Sequence, residues 1–219
     1  ASILNTKSHP IDAPKYRSKC KSILDRDGVL VLKKFLLKES IQSILEEAKQ
    51  QERLAYYCVN EHNVYLDPYD NNYPNSHPRN RTVVSSKGCI TDDQVPKDSA
   101  LRALYDSKDF KEFLCSVLNE ESLYKYDDNL SSINIHFAKT GQELGWHFDN
   151  SSFAITLLIQ KPEAGGDFEY IRDFRNSKNN DNNYDQVLDL MNGQCQPKKL
   201  TMENGSLVLF RGKDAIHRV

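Results

Sequence analysis

The stretch "ELGWHFDNSSFAITLLIQ" at positions 143–160 decides how this chain is read. Its second half, "SFAITLLIQ", is an apolar run rich in branched residues, bounded by polar ones, and reads as a buried strand. Upstream, "SSINIHFAKTG" at 131–141 alternates with a period of two. Ile133, Ile135 and Phe137 fall on one face, and Asn134, His136 and Ala138 on the other. Downstream, "GGDFEYI" follows a Gly-Gly turn and "GSLVLFRG" follows Asn204-Gly205, two further strands behind turn signals. Between them, 175–183 is a polar, Asn-rich loop and 184–192 suits a short helix.

The first half has a different texture. Helices are predicted over 13–26, 38–55, 99–107 and 108–118, the last two sharing a stripe of Leu101, Leu104, Phe110, Phe113 and Leu114. Short strands are predicted at 28–32 and 55–66. The segment "DPYDNNYPNSHPRN" at 67–80 can only be a loop, and long loops in compact domains tend to be functional. Helices followed by a run of short strands predict an α+β, mainly β fold. Its core would be a double-stranded β-helix (jelly-roll, cupin-like) supported by N-terminal helices. We expect one domain over 1–219, with 1–130 supplying helical support and substrate loops and 131–219 the jelly-roll core.

Bulk properties exclude several classes. The net charge of −2 marks the whole chain as neither a nucleic-acid nor a membrane-surface binder. No apolar run approaches the ~20 residues of a membrane span, and no signal-peptide core is visible. Five dispersed cysteines, without paired spacing, point to reduced thiols and a cytoplasmic setting.

His147-Phe148-Asp149 is the segment that carries chemistry. Six histidines and 31 acidic residues in 219 positions produce about one His-x-acid by chance, so the spacing alone leaves a turn cap and a solvated carboxylate equally open. Context adds weight. The Gly141/Gly145 turn, the apolar strand that follows, and a second histidine, His217, behind the last strand allow His147, Asp149 and His217 to converge. Two imidazoles and a carboxylate make a facial triad. Such a triad leaves three positions of an octahedral metal open and suits non-haem Fe(II) more than structural zinc.

"GQELGWHFDNSSFAITLLIQKPEAGGDFEYI" and "ENGSLVLFRGKDAIHRV" resemble the core of the 2-oxoglutarate/Fe(II)-dependent oxygenases, more narrowly the free-lysine halogenases and their amino-acid hydroxylase relatives. The likeness is specific over 133–219 and only general before it. It implies that His147, Asp149 and His217 hold Fe(II), with 2-oxoglutarate and O2 as cosubstrates. The halogenases of that group carry Gly in place of the acidic ligand, which frees a position for chloride. Asp149 is retained here, so the resemblance implies hydroxylation of a small polar substrate, most simply a free amino acid such as lysine.

Other residues are candidates only. Asn134 and His136 share a strand face and could line the cofactor pocket. Family members usually hold the distal carboxylate of 2-oxoglutarate with a basic residue beyond the last histidine. Arg218 adjoins His217, although alternation turns it to the opposite face. Because the sequence stops at Val219, we expect the native protein to continue and supply that clamp. Arg79 and Arg81 offer guanidinium forks for a substrate carboxylate, and Asn150 sits beside the acidic ligand. Asp127 and Asp128 could meet an ammonium, and Trp146 suits core packing. The alternatives are the same core acting on another substrate or ending in desaturation or cyclisation, and a non-catalytic jelly-roll binding module.

Overall fold

A computed structural model of the chain describes residues 2–124, 128 and 130–219. The N-terminal half is built from α1 (Pro14–Asp27), β1 (Val29–Leu32), α2 (Lys38–Gln51), β2 (Tyr56–Asn63), β3 (Thr82–Ile90), α3 (Ala100–Asp106) and α4 (Lys108–Leu118). The C-terminal half carries β4 (Ile135–Phe137), β5 (Ala154–Leu158), β6 (Phe168–Ile171), α5 (Tyr184–Met191), β7 (Lys198–Leu200), β8 (Ser206–Phe210) and β9 (Ile216–Arg218). The strands form three antiparallel sheets, ordered β1-β8-β5, β2-β3-β4 and β7-β6-β9. The fold is therefore mixed helix and sheet.

β8 organises the layers. Every residue of "SLVLF" is buried, and the strand is paired on both edges, by β1 and by β5. Its alternation feeds two cores. Leu207 and Leu209, with Leu30 and Leu32 of β1, face Leu24, Ile44, Phe113 and Val117 from the helices. Val208 and Phe210, with Val29, face Tyr170 of β6 on the other side. A strand buried on both faces reads as a continuous apolar run for this reason.

Local signals place the helix ends. Pro14 opens α1, and Gly28 closes it in the left-handed region at φ 71°, its N–H donating to the Leu24 carbonyl. Ser107 caps α4 through a hydrogen bond to its side chain from the Phe110 N–H.

The sequence reading departs from the structure at several points. The alternating segment 131–141 contributes only the three-residue β4. The "SFAITLLIQ" strand is β5, but it pairs only with β8 and is half-exposed, with Ile155 at 40 %. β3, the longest strand, was not anticipated, because Ser85-Ser86-Lys87-Gly88 interrupts any apolar alternation. Among the described residues no helix is long and apolar enough to cross a membrane. All five cysteines are free.

Candidate metal centre

The site forms where the 145–149 segment meets the end of the chain. His147 and His217 exchange both backbone hydrogen bonds at 3.0 Å, an isolated antiparallel bridge that continues the β6–β9 pairing. The Asp149 N–H donates to the Gly212 carbonyl, and the Phe148 N–H to the Val64 carbonyl. Alternation then sorts the side chains. Phe148 is fully buried, stacked on Tyr65, while His147 and Asp149 turn to the opposite side to meet His217.

Three potential ligand atoms, one from each of His147, Asp149 and His217, lie within 4.8 Å of one another. Nε2 of His147 is 3.8 Å, and Nε2 of His217 3.5 Å, from Asp149 Oδ1. The tautomers follow from the other ring nitrogen. His147 Nδ1 is 2.8 Å from the Gly145 carbonyl and His217 Nδ1 is 3.0 Å from the Ala215 carbonyl. A carbonyl only accepts, so each Nδ1 carries the proton and each Nε2 presents a lone pair to the common point. In both cases the acceptor lies two residues before the histidine.

The environment keeps the donors in ligand form. Burial, then repulsion from His217, lowers the pKa of His147 to about 4, so it is neutral at pH 7. Burial opposes ionisation of Asp149, but its interactions with His217, then with His147 and Arg175, outweigh it and hold the carboxyl below its ordinary value. Among the described residues Asp149 Oδ2 is buried with no hydrogen-bond partner. A buried carboxylate oxygen without a donor is costly unless a cation takes it. The donor set and the orphaned oxygen together fit a divalent metal with N/O ligands.

Two glycines make the approach possible. A Cβ on Gly212 would overlap the Asp149 carboxylate, so glycine there leaves room for that side chain. A Cβ on Gly145 would come within 2.6 Å of the Val84 carbonyl, so the segment can lie against β3 only with glycine at this point. Around His217 the walls are aromatic: Phe168 stacks on its ring with centroids 5.5 Å apart, and Phe210 meets it edge-on at 4.8 Å. His62 packs edge-on to His147 at 6.2 Å.

The remaining candidates make other contacts. Arg218 pairs with Glu169 at 2.6 Å and stacks over Trp146 at 4.5 Å, on the strand face opposite His217. Trp146 is buried, as core packing requires. Asn134 and His136 are exposed. Asn134 accepts from the Cys89 thiol, and His136 lies 3.5 Å from the Lys87 ammonium, on the sheet face that also carries His62. Arg79 donates to the Pro68 carbonyl and pairs with Asp67, while Arg81 ties the loop to Asn192 and the Met191 carbonyl. Asn150 is exposed beside Asp149. Asp128 accepts from Ser131 and Leu130 within its own turn, and Asp127 lies outside the described residues.

Sequence reasoning missed Gly212, Arg175 and His62. Arg175 is nearly buried; its guanidinium lies 4.3 Å over the Phe148 ring and reaches the Asp149 carbonyl at 3.5 Å. Burial lowers its pKa, but an arginine stays charged at neutral pH. It also lines an open cavity of about 400 Å³ with Asp173, Lys178, Asp181 and Asp214. An arginine in an Asn-rich loop carries no local signal of such a position.

Known structures resemble the chain in fold. A 2OG-Fe(II) oxygenase-family oxidoreductase from Burkholderia pseudomallei matches 93 % of this chain over 83 % of its own, with a TM-score of 0.55 and 11 % identity. A prolyl 4-hydroxylase of Phytophthora capsici covers 100 % of this chain over 61 % of its own, at TM-score 0.53 and 15 % identity. A prolyl hydroxylase from Trichoplax adhaerens, solved with a hypoxia inducible factor peptide fragment, covers 98 % over 86 %, at 0.50 and 10 %. No curated protein matches by sequence. The sequence model of the Halogenase D family, by contrast, matches residues 13–219, and the chain belongs to that family.

Proposed function

We propose that the chain is a non-haem Fe(II)- and 2-oxoglutarate-dependent oxygenase that hydroxylates a C–H bond of a small polar substrate, with a free amino acid such as lysine the leading candidate. One observation carries this reading: His147, Asp149 and His217 converge, with both Nδ1 atoms turned to backbone carbonyls, both Nε2 atoms facing Asp149, and a buried carboxylate oxygen unpaired among the described residues. Those three residues would hold Fe(II). The metal with 2-oxoglutarate would supply O2 activation, 2-oxoglutarate leaving as succinate and CO2.

The protein's own part is seating and exclusion. The carbonyls of Gly145 and Ala215 orient the imidazoles, and Phe168 and Phe210 keep water from one side of His217. The stacking of sheet β1-β8-β5 on sheet β7-β6-β9 supports a jelly-roll core within a single domain. The cavity beside Arg175 bears charges of both signs, which supports a zwitterionic substrate such as an amino acid. Five free cysteines support a cytoplasmic setting.

The family name favours one second reading, halogen transfer. Asp149 argues against it, since its carboxylate would take the position a halide needs. Anaerobic addition of Fe(II) and 2-oxoglutarate tests the main reading: the charge-transfer absorption of the chelate should appear in the wild type and vanish in His147→Ala. Its absence from the wild type would end the oxygenase reading. Aerobic screening of amino acids for succinate release coupled to a +16 mass product then identifies the substrate. A chlorinated product with Asp149 intact would favour the second reading, and Asp149→Gly gaining halogenation would support the first.

A further inference from the structure

The histidine on the 145–149 segment is tied to the β2–β3 hairpin by a chain of hydrogen bonds with one consistent set of directions. The chain begins at Asn63. Its carbonyl lies 2.9 Å from His62 Nδ1, so that nitrogen is the donor, and in the Nδ1–H tautomer Nε2 accepts. The donor to Nε2 is the Ser85 hydroxyl at 2.7 Å. With its proton committed, Ser85 Oγ accepts from the Gly145 N–H at 3.0 Å. The Gly145 carbonyl then receives the His147 Nδ1 proton at 2.8 Å. His62 and Ser85 are diagonal neighbours on one face of the hairpin, since His62 pairs with Val83 and Asn60 with Ser85.

Both ends of the chain are anchored. Asn63 is buried, its carbonyl also receives the Leu66 N–H, and its side chain closes the turn by accepting from Tyr65 and donating to Asp67. The next carbonyl, that of Val64, holds the Phe148 N–H at 2.8 Å. The polar links therefore run from the hairpin to 145–149 at Gly145 and again at Phe148, on either side of His147. The His62 ring itself meets the His147 ring edge-on. Both His62 nitrogens are spent, so it is not a fourth ligand.

We propose that His62 and Ser85 are positioning residues for the metal. Through Gly145 they fix the peptide that selects the His147 tautomer and aims Nε2 at Asp149 and His217. This rests on the metal reading above. A ligand ring aimed before the metal arrives loses less freedom on binding, and removal of such outer partners typically costs about 10–100-fold in metal affinity.

Visible absorption of Co(II), used as the probe ion in titrations of the full chain, tests the proposal. Ser85→Ala and His62→Phe should each weaken Co(II) binding about 10–100-fold with a changed d–d spectrum. The double variant should be little worse than the weaker single one, because the two residues act in one chain. Ser85→Thr, which keeps the hydroxyl, should restore wild-type affinity. If His147→Ala abolishes binding while both single variants bind like wild type, the proposal is overturned and the metal site stands. If wild type and His147→Ala bind equally weakly, the metal reading itself fails. Nitrogen NMR of the wild type with labelled histidine needs no variant: His62 should be the Nδ1–H tautomer, and a proton on its Nε2 would overturn the chain.

Discussion

The two histidines of the triad share one local device and differ in everything around it. Each gives its Nδ1 proton to the carbonyl two residues earlier. His217 then sits in an aromatic corner of Phe168 and Phe210, with its side chain 7 % exposed. His147 sits against His62, with Ser85 behind Gly145, and is 17 % exposed. One histidine is held mainly by packing and the other mainly by hydrogen bonds. Packing energy is large and insensitive to direction, whereas hydrogen bonds contribute little net stability but prescribe an angle. The aromatic side should therefore govern whether the corner folds, and the polar side how well it binds.

The largest effect expected is on the ligands themselves. His217→Ala should lose Co(II) binding measured by visible absorption; retained binding would mean that the metal does not bridge the two sides. Next comes the aromatic corner. Phe210→Ala should cost about 3–5 kcal/mol of unfolding free energy in denaturant titrations, against about 1 kcal/mol for Ser85→Ala. Equal losses would erase the distinction between packing and aiming.

Acid should act on the polar side. The folded pKa of His147 is about 4, below the 6.5 expected in the unfolded chain, so on acidification the unfolded state takes up the proton first. Stability of the metal-free protein should be full above pH 6.5 and fall as pH drops toward 4, at ~1.4 kcal/mol per unit from this group and at most ~3.5 kcal/mol in all. The lowered Asp149 pKa works in the same direction at still lower pH. His147→Gln should flatten the fall between pH 6.5 and 4; an unchanged profile would assign the acid sensitivity elsewhere.

The smallest effect belongs to Arg218→Ala. Its pair with Glu169 is half-exposed, so the stability change should stay within ~1 kcal/mol and 2-oxoglutarate binding should not move. A large loss of 2-oxoglutarate affinity would place Arg218 at the cofactor.

Much of this corner was legible because short-range periodicities are written locally. His147 and Asp149 are two apart, and a strand's period of two puts them on one side with Phe148 on the other. β8 is visible in "GSLVLF" because a strand covered on both faces must be apolar throughout. β5 misled, since its apolar run suggested burial while its pairing with β8 alone leaves it half-exposed. β3 was hidden for the opposite reason: its small and charged residues serve hydrogen bonds and close approach to Gly145 instead of a core.

From its residues alone the chain declared a helix-then-strand order, the spacing of His147 and Asp149, and a donor chemistry of nitrogen and oxygen without sulfur. Only the tertiary structure decided that His217 reaches them and that Gly212 makes room for the carboxylate. It also decided that Arg218 faces away and that His62, 85 positions before His147, aims the ligand. Side-chain alternation is a property of neighbouring bonds. Register between distant strands is decided by loops and packing, and a slip of one residue would carry each of these groups to the other face.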